Sequence, residues 1–143
     1  MFFNFNKLFL NSNNKEGISR AYENIGRVYA RNGKYKEAIS VWEKKLPLAE
    51  NDMEKAWLYH EIGRCHLETG EFEVARDYGK KSLECSKRIN DEVWQLNATI
   101  LIAQSEAKMN TIESVQSAIE NFEKAVKITE KQSKKGFIFN SFF

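Results

Sequence analysis

The chain has 143 residues, enough for one domain, and its 42% apolar and 29% charged residues are ordinary for a globular protein. A formal net charge of +2 gives no strong electrostatic case for a nucleic-acid partner. No run approaches the roughly eighteen consecutive apolar residues of a membrane span. The two cysteines, Cys65 and Cys85, are too few for a disulfide framework and predict reduced thiols in a cytoplasmic protein.

Both ends of the chain differ in composition from the middle. Residues 1–15 are rich in Phe and Asn, and residues 134–143 form a second Phe-rich tail. The apolar start is interrupted by Asn4, Asn6 and Lys7 and lacks a small-residue cleavage site, so a secretory signal is not predicted. Two interpretations stay open: the tails lie outside the fold, as in a fragmentary gene model, or they cap the ends of a repeat domain.

Residues 16–133 predict helices only, and the first two form a pair. The first helix carries apolar residues at helical spacing and ends at Asn32-Gly33, because glycine readily takes the left-handed conformation at a helix end; the expected core positions are Tyr22, Ile25, Gly26, Val28 and Tyr29. The second helix starts near Tyr35, and its stripe is Tyr35, Ala38, Ile39 and Trp42. Pro47 predicts an end or a kink near Leu46.

Four more helices are predicted in the same order. The third covers about 53–68, stops at Gly70 and turns Ala56, Tyr59, Ile62 and Gly63 inward. The fourth covers about 72–89, and Asn90-Asp91 is a good N-cap region for the fifth, at about 93–109. The sixth covers about 114–132. Its connection to the fifth, residues 110–116, is expected to be about three residues longer than the other two connections.

The helix pairs repeat at a fixed interval of 37 residues. Four landmark pairs show it: Gly26 and Gly63, Gly33 and Gly70, Tyr35 and Phe72, and Ala38 and Ala75. Bulky, glycine, aromatic and alanine residues at these steps resemble the tetratricopeptide repeat. The resemblance implies an all-α solenoid of helical hairpins, stacked as a right-handed superhelix. About three repeats are expected, at 19–52, 56–90 and 93–132, because one helix pair cannot bury its apolar face alone.

No constellation of residues predicts catalysis, a cofactor or a metal ion. His60 and His66 are six residues apart, so they do not share a helical face as a metal-binding pair would. Cys65 and His66 are adjacent on a helix and point in different directions, which argues against a nucleophile and its base. The chain is therefore not expected to be an enzyme.

The first helices of the pairs are expected to line an inner groove that binds a partner. Their outward positions include two arginines in equivalent places, Arg27 and Arg64, and arginine and tryptophan are residue types that anchor interfaces. The predicted partner-binding residues are Arg20, Arg27, Arg31, Trp57, His60, Arg64 and Gln104. Further outward positions are Glu23, Ala30, Leu67, Glu68, Asn97, Ile100 and Lys108.

A closer resemblance covers about four-fifths of the chain. The segments AYENIGRVYARNGKYKEAISVWEKKLPLAE, EKAWLYHEIGRCHLETGEFEVARDYGKKS, WQLNATILIAQSEAK and AIENFEKAV resemble the C-terminal repeats of tetratricopeptide proteins that dock outer dynein arms. Neither Pro47 inside its helix nor the run from Trp94 to Ala98 is required by the repeat itself.

This resemblance implies a non-catalytic scaffold of the cytoplasm and the ciliary or flagellar axoneme, cut from a longer parent with further repeats upstream. Its implied partners are proteins: coiled-coil docking subunits, dynein-arm proteins or microtubule-associated proteins. Nucleic acid and membranes are not expected. The alternative is a cytosolic adaptor that binds a client peptide in the groove. A chaperone-tail clamp is not favoured, because Glu23 and Arg27 occupy positions where that clamp has Lys and Asn.

Overall fold

The structure is a computed structural model that describes residues 14–135, and these residues form helices and no strand. The α-helices are α1 (Lys15–Arg31), α2 (Tyr35–Lys45), α3 (Asp52–Glu68), α4 (Phe72–Arg88), α5 (Glu92–Met109) and α6 (Ile112–Lys134). The all-α fold of helical hairpins predicted from the sequence is confirmed. The two tail interpretations concern residues outside the described range, apart from its first and last few positions.

Local sequence explains where the helices begin. Asn14 caps α1 by accepting a hydrogen bond from the Gly17 amide at 3.0 Å, which satisfies one of the amides that a helix start leaves unpaired. Asp91 caps α5 in the same way through the Trp94 amide at 2.9 Å, as predicted. Thr111 and Ser114 form a reciprocal capping box at the start of α6.

Helices α1 to α5 end at residues with a left-handed backbone conformation or, in the case of α2, just before a proline. Gly33 and Gly70 have φ of 74° and 84°, which confirms both predicted stops. Asn90 and Asn110 take the same region at 52° and 57°, where asparagine is the residue most tolerated after glycine. Pro47 lies in a short 3-10 turn, Leu46–Leu48, that follows α2 as predicted.

The connection inside the third helix pair is shorter than predicted. Only Asn110 and Thr111 separate α5 from α6, whereas three residues separate α1 from α2 and α3 from α4. The prediction of a longer connection is therefore wrong. The extra residues are helical instead: Ala118 is the seventh residue of α6, but the equivalent Ala75 is the fourth residue of α4. The Thr111–Ser114 capping box lets the helix start one turn early.

The chain forms two compact units, one ending at Glu50 and the other beginning at Asn51. In the first unit, α1 and α2 pack through Gly26, against which the indole of the fully buried Trp42 lies. The indole Nε1 donates a hydrogen bond to the Glu23 carbonyl oxygen at 3.3 Å. Lys45, only 4% exposed, donates from Nζ to Ser19 Oγ at 2.6 Å, so its buried charge has a polar partner.

In the second unit, α3 packs on α4, α4 on α5 and α5 on α6, and α3 also contacts α5. Glycines at the contacts allow these helices to approach one another closely. A Cβ atom on Gly63 would lie 2.8 Å from Leu101 Cδ2, and one on Gly79 would lie 2.8 Å from Ile102 Cγ1. Fully buried Ser82 donates to the Ala56 carbonyl oxygen at 2.8 Å and joins α4 to α3 inside the core.

Two predicted core residues of α1 are on the surface. Ile25 is 39% exposed and Val28 is 59% exposed, so their assignment to the packed face was wrong. The buried residues of α1 are instead Ile18, Ser19, Tyr22 and Gly26, three of which follow a four-residue step. Ile25 precedes Gly26 by one residue and is therefore rotated about 100° away from this face.

We expect Gly26→Ala to destabilise the protein by about 1–3 kcal/mol, because the new methyl group would overlap the Trp42 indole in a filled core. Asn24→Ala, an exposed change on the same helix, serves as the control and is expected to stay within about 0.5 kcal/mol of the wild type. Urea unfolding followed by circular dichroism measures both. Equal midpoints for the two variants would contradict the packing described at Gly26.

Candidate partner-binding groove

One face of α3 and one face of α5 line a groove of about 520 Å³ in the second unit. From α3 the lining residues are His60, Glu61, Arg64, Leu67 and Glu68, and from α5 they are Trp94, Asn97, Ile100, Leu101 and Gln104. Within each set the residues recur every three or four positions, which is the spacing that places side chains on one helical face. The groove is therefore a consequence of two neighbouring helices that each turn one face outward.

The floor of the groove is apolar and is closed by an aromatic contact. Ile100 and Leu101 are buried, and the His60 ring meets the half-buried Trp94 edge to face, with ring centroids 5.3 Å apart. Such aromatic pairs contribute roughly 0.5–1.5 kcal/mol beyond their burial. His60 and Trp94 thus fix the separation of α3 and α5 at one end of the groove.

The groove lining carries more carboxylates than cationic side chains. Glu61 lies close to two side chains of its own helix: its Oε1 is 3.1 Å from His60 Nδ1 and 3.7 Å from Arg64 Nη1. Glu68 adds a second carboxylate, so one arginine faces two glutamates. The side chain of Arg64 is 60% exposed, which limits the strength of its ion pair and leaves the guanidinium able to reach a ligand. Asn97 and Gln104 add amides that both donate and accept hydrogen bonds.

The structure brings three of the predicted site residues together, since His60, Arg64 and Gln104 all line the groove. Trp57 lies on α3, half-buried and outside this lining. The further predicted positions that also line it are Leu67, Glu68, Asn97 and Ile100. Whether these residues bind a partner stays a prediction.

Three lining residues were missed: Glu61, Trp94 and Leu101. The sequence contained a signal for Trp94, because it precedes Asn97 by three positions and shares its helical face.

The remaining predicted residues lie on α1 in the first unit. Arg20, Arg27 and Arg31 are all exposed, but Arg20 pairs with Glu16 at 3.0 Å and Arg27 pairs with Glu23 at 2.7 Å. Both glutamates precede their arginine by four residues, the favourable order for a helical ion pair. The positive charge expected from these arginines is therefore partly neutralised by Glu16 and Glu23 of the same helix.

The cysteine and the second histidine occupy structural positions. Cys65 is 4% exposed, and burial raises the pKa of its thiol to about 12. The His66 ring stacks on Tyr78 with centroids 5.4 Å apart. Its Nδ1 lies 3.4 Å from Glu71 Oε1, close enough for an ion pair although the geometry is not that of a hydrogen bond. Within residues 14–135, no group of three or more His, Cys, Asp or Glu side chains is placed to hold a metal ion. None of the six described helices is long and apolar enough to cross a bilayer.

The sequence profile of the tetratricopeptide repeat family matches residues 17–88, which include the whole of α3 and α4 and nearly all of α1. The profile thus spans half of the chain, and its helix pairs are those seen in the structure. The chain belongs to the tetratricopeptide repeat family.

The curated proteins similar to this chain include several named outer dynein arm-docking complex subunit 4. The protein from Danio rerio is 56% identical over 108 residues, covering 76% of this chain and 22% of that protein. The protein from Homo sapiens is 52% identical over 108 residues, covering 76% of this chain and 16% of that protein. This chain thus spans about a fifth of the length of these relatives.

A more distant relative is the mitochondrial import receptor subunit TOM70 of Homo sapiens, 38% identical over 61 residues. That alignment covers 43% of this chain and 10% of the receptor.

We expect both thiols to be unreactive in the folded protein, because Cys65 and Cys85 are buried and burial raises the pKa of each. At pH 8 a thiol with a pKa of about 12 is ionised in about one molecule in 10⁴. The measurement is the absorbance released from Ellman's reagent at pH 8, before and after unfolding in guanidinium. Two thiols should react only after unfolding, and stoichiometric reaction of the native protein within minutes would contradict their burial.

Proposed function

We propose that this chain is a non-catalytic docking scaffold that takes part in attaching outer dynein arms to axonemal doublet microtubules. The observation that carries the proposal is the 56% identity to a docking-complex subunit across 76% of the chain. Because the chain spans about a fifth of that relative, the proposal concerns a repeat module that contributes to docking, placed in the cytoplasm and the ciliary or flagellar axoneme.

The groove between α3 and α5 supports a role in binding protein rather than small molecules or nucleic acid. Its two side-chain amides belong to Asn97 and Gln104 of α5, which are seven residues apart, or about 10.5 Å along the helix axis. Side-chain amides can pair with both the N–H and the C=O of a peptide unit. The lining has two carboxylates and one guanidinium, which disfavours a polyanion such as nucleic acid because that ligand needs a strongly basic surface.

The partner segment is expected to be extended, because only an extended chain presents backbone groups that side-chain amides can reach along a groove. Arg64 stands opposite, on α3, and can bind a carboxylate of the segment once Glu61 yields part of its interaction. The His60–Trp94 pair offers an apolar and aromatic surface for one side chain. The proposed partners are other docking-complex subunits, dynein-arm proteins or microtubule-associated proteins.

The alternative is a cytosolic adaptor that binds a client peptide in the same groove. It uses the same geometry, so only the identity of the partner separates the two functions. The relatives named after outer dynein arm docking favour the first, since their alignments cover more of this chain at higher identity than the alignment with the import receptor.

We expect the immobilised full chain to retain docking-complex or dynein-arm proteins from an extract of ciliated cells, as identified by mass spectrometry. Asn97→Ala combined with Gln104→Ala should reduce this retention by about tenfold, because the amides that pair with the partner backbone are lost. Lys87→Ala, an exposed change on α4 outside the groove, is the matched control and should retain the same proteins as the wild type.

Circular dichroism melts of all three proteins verify that the variants are folded. Recovery of soluble signalling proteins alone would refute the docking role and support the adaptor. If the double variant retains as much docking protein as the wild type, the binding site lies outside the groove.

A further inference from the structure

A line of apolar side chains is exposed along α6 in the second unit. Its members, here called the outer stripe, are Ile112, Val115, Ile119, Phe122 and Val126. Ile112 is 87% exposed, Ile119 is 48% exposed and Val126 is 55% exposed. Val115 is also exposed, and Phe122 is half-buried. Isolated apolar residues are ordinary on a surface, but five on one face of one helix indicate an interaction site.

The outer stripe is separate from the face that holds α6 in the fold. That inner face is formed by Ser114, Ala118, Ala125 and Gln132, all buried. Ala125 packs with Leu96 and Ile100 of α5, and Ile128 packs against the same cluster. α6 therefore has one apolar face occupied by α5 and a second apolar face, rotated by about a third of a turn, that α5 does not cover.

The spacing of the outer stripe is that of a helix-binding surface. Its residues are separated by steps of three, four, three and four, which is the heptad pattern with Ile112, Ile119 and Val126 at one position and Val115 and Phe122 at the other. This pattern lets the side chains of a second helix insert between them. We propose that the outer stripe binds a helix of a partner protein that carries apolar residues at heptad spacing and Lys or Arg along one edge.

The length of the outer stripe sets the length of the helix that can cover it. From Ile112 to Val126 it extends about 21 Å at the rise of an α-helix. A partner helix of two or three heptads covers the stripe completely.

The charge beside the stripe determines the edge of the partner. On the side away from α5, the neighbouring positions are Gln116, Glu123 and Glu130, all exposed. On the other side are Ala118 and Ala125, which face α5 and carry no charge. A basic edge on the partner would pair with Glu123 and Glu130, the type of contact that selects partners in coiled coils. An antiparallel pair of two α6 helices would bring these acidic edges together, which disfavours a second copy as the occupant.

The inference deepens the docking role proposed above and rests on it for the identity of the partner, but helix binding is measurable alone. The probe is a fluorescein-labelled 21-residue peptide with Leu at both heptad core positions and Lys at both flanking positions. A matched peptide has Glu in place of Lys. Fluorescence polarisation with the full chain should give binding that is at least about tenfold tighter for the Lys peptide.

Two sets of variants place the peptide on the outer stripe. Ile119→Asp should weaken the Lys peptide at least about tenfold, because it puts a charge in the centre of the apolar contact. Glu123→Lys with Glu130→Lys should reverse the preference in favour of the Glu peptide. The groove change Asn97→Ala should leave both affinities as they are.

The proposal is overturned if the two peptides bind equally, if Ile119→Asp has no effect, or if Asn97→Ala abolishes binding. Sedimentation of the full chain as a dimer that Ile119→Asp dissociates would assign the stripe to a second copy instead. Tighter peptide binding after Phe139→Ser with Phe142→Ser would assign it to the chain's own C-terminal residues. If the peptide binds at the outer stripe but the full chain retains no docking proteins from the extract, only the docking role is refuted. If docking proteins are retained but the peptide does not bind at the outer stripe, only the proposal about the stripe is refuted.

Discussion

The close approach of neighbouring helices at three glycines is the constraint on which the rest of the structure depends. Gly26 meets the Trp42 indole, Gly63 meets Leu101 and Gly79 meets Ile102. At each of these positions a Cβ atom would lie closer to the neighbouring helix's side chain than van der Waals contact allows, so one of the two would have to shift. Because α4 packs on both α3 and α5, the contacts of Gly63 and Gly79 also set the distance between α3 and α5, and hence the width of the groove. The groove is therefore a product of core packing as much as of the residues that line it.

The sequence predicted most of the fold because the relevant signals are local and repeated. Gly33 and Gly70 marked two helix ends correctly, since few residues other than glycine take positive φ without strain. The failures arose where several local solutions exist. Asn110 ends α5 in the left-handed conformation and begins a connection of only two residues, and the polar run that follows it is equally consistent with a loop or with a capped helix start. Only the reciprocal bonds of Thr111 and Ser114 decide between them.

The same distinction applies to the groove. Helical spacing placed His60 and Arg64 on one face of α3, and the resemblance to the tetratricopeptide repeat added Gln104 of α5 to the same surface. Spacing could not predict that the Glu61 carboxylate would lie near both His60 and Arg64 and offset the charge of the arginine, since that depends on rotamers and on the neighbouring helix. Ile25 shows the corresponding limit for the core: an apolar residue one position away from the packed glycine points elsewhere, whatever its hydrophobicity.

The early start of α6 indicates how one repeat can come to differ in its surface from the other repeats of the same protein. A helix pair must keep its small residues in register with its neighbours, so its interior tolerates little change. Residues added before the first packed alanine of α6 extend the helix into solvent and leave that register intact. The added turn here carries Ile112, the most exposed of the large apolar residues in the described chain. Lengthening one helix at its free end is thus a route by which an otherwise uniform array gains a surface that its sister repeats lack.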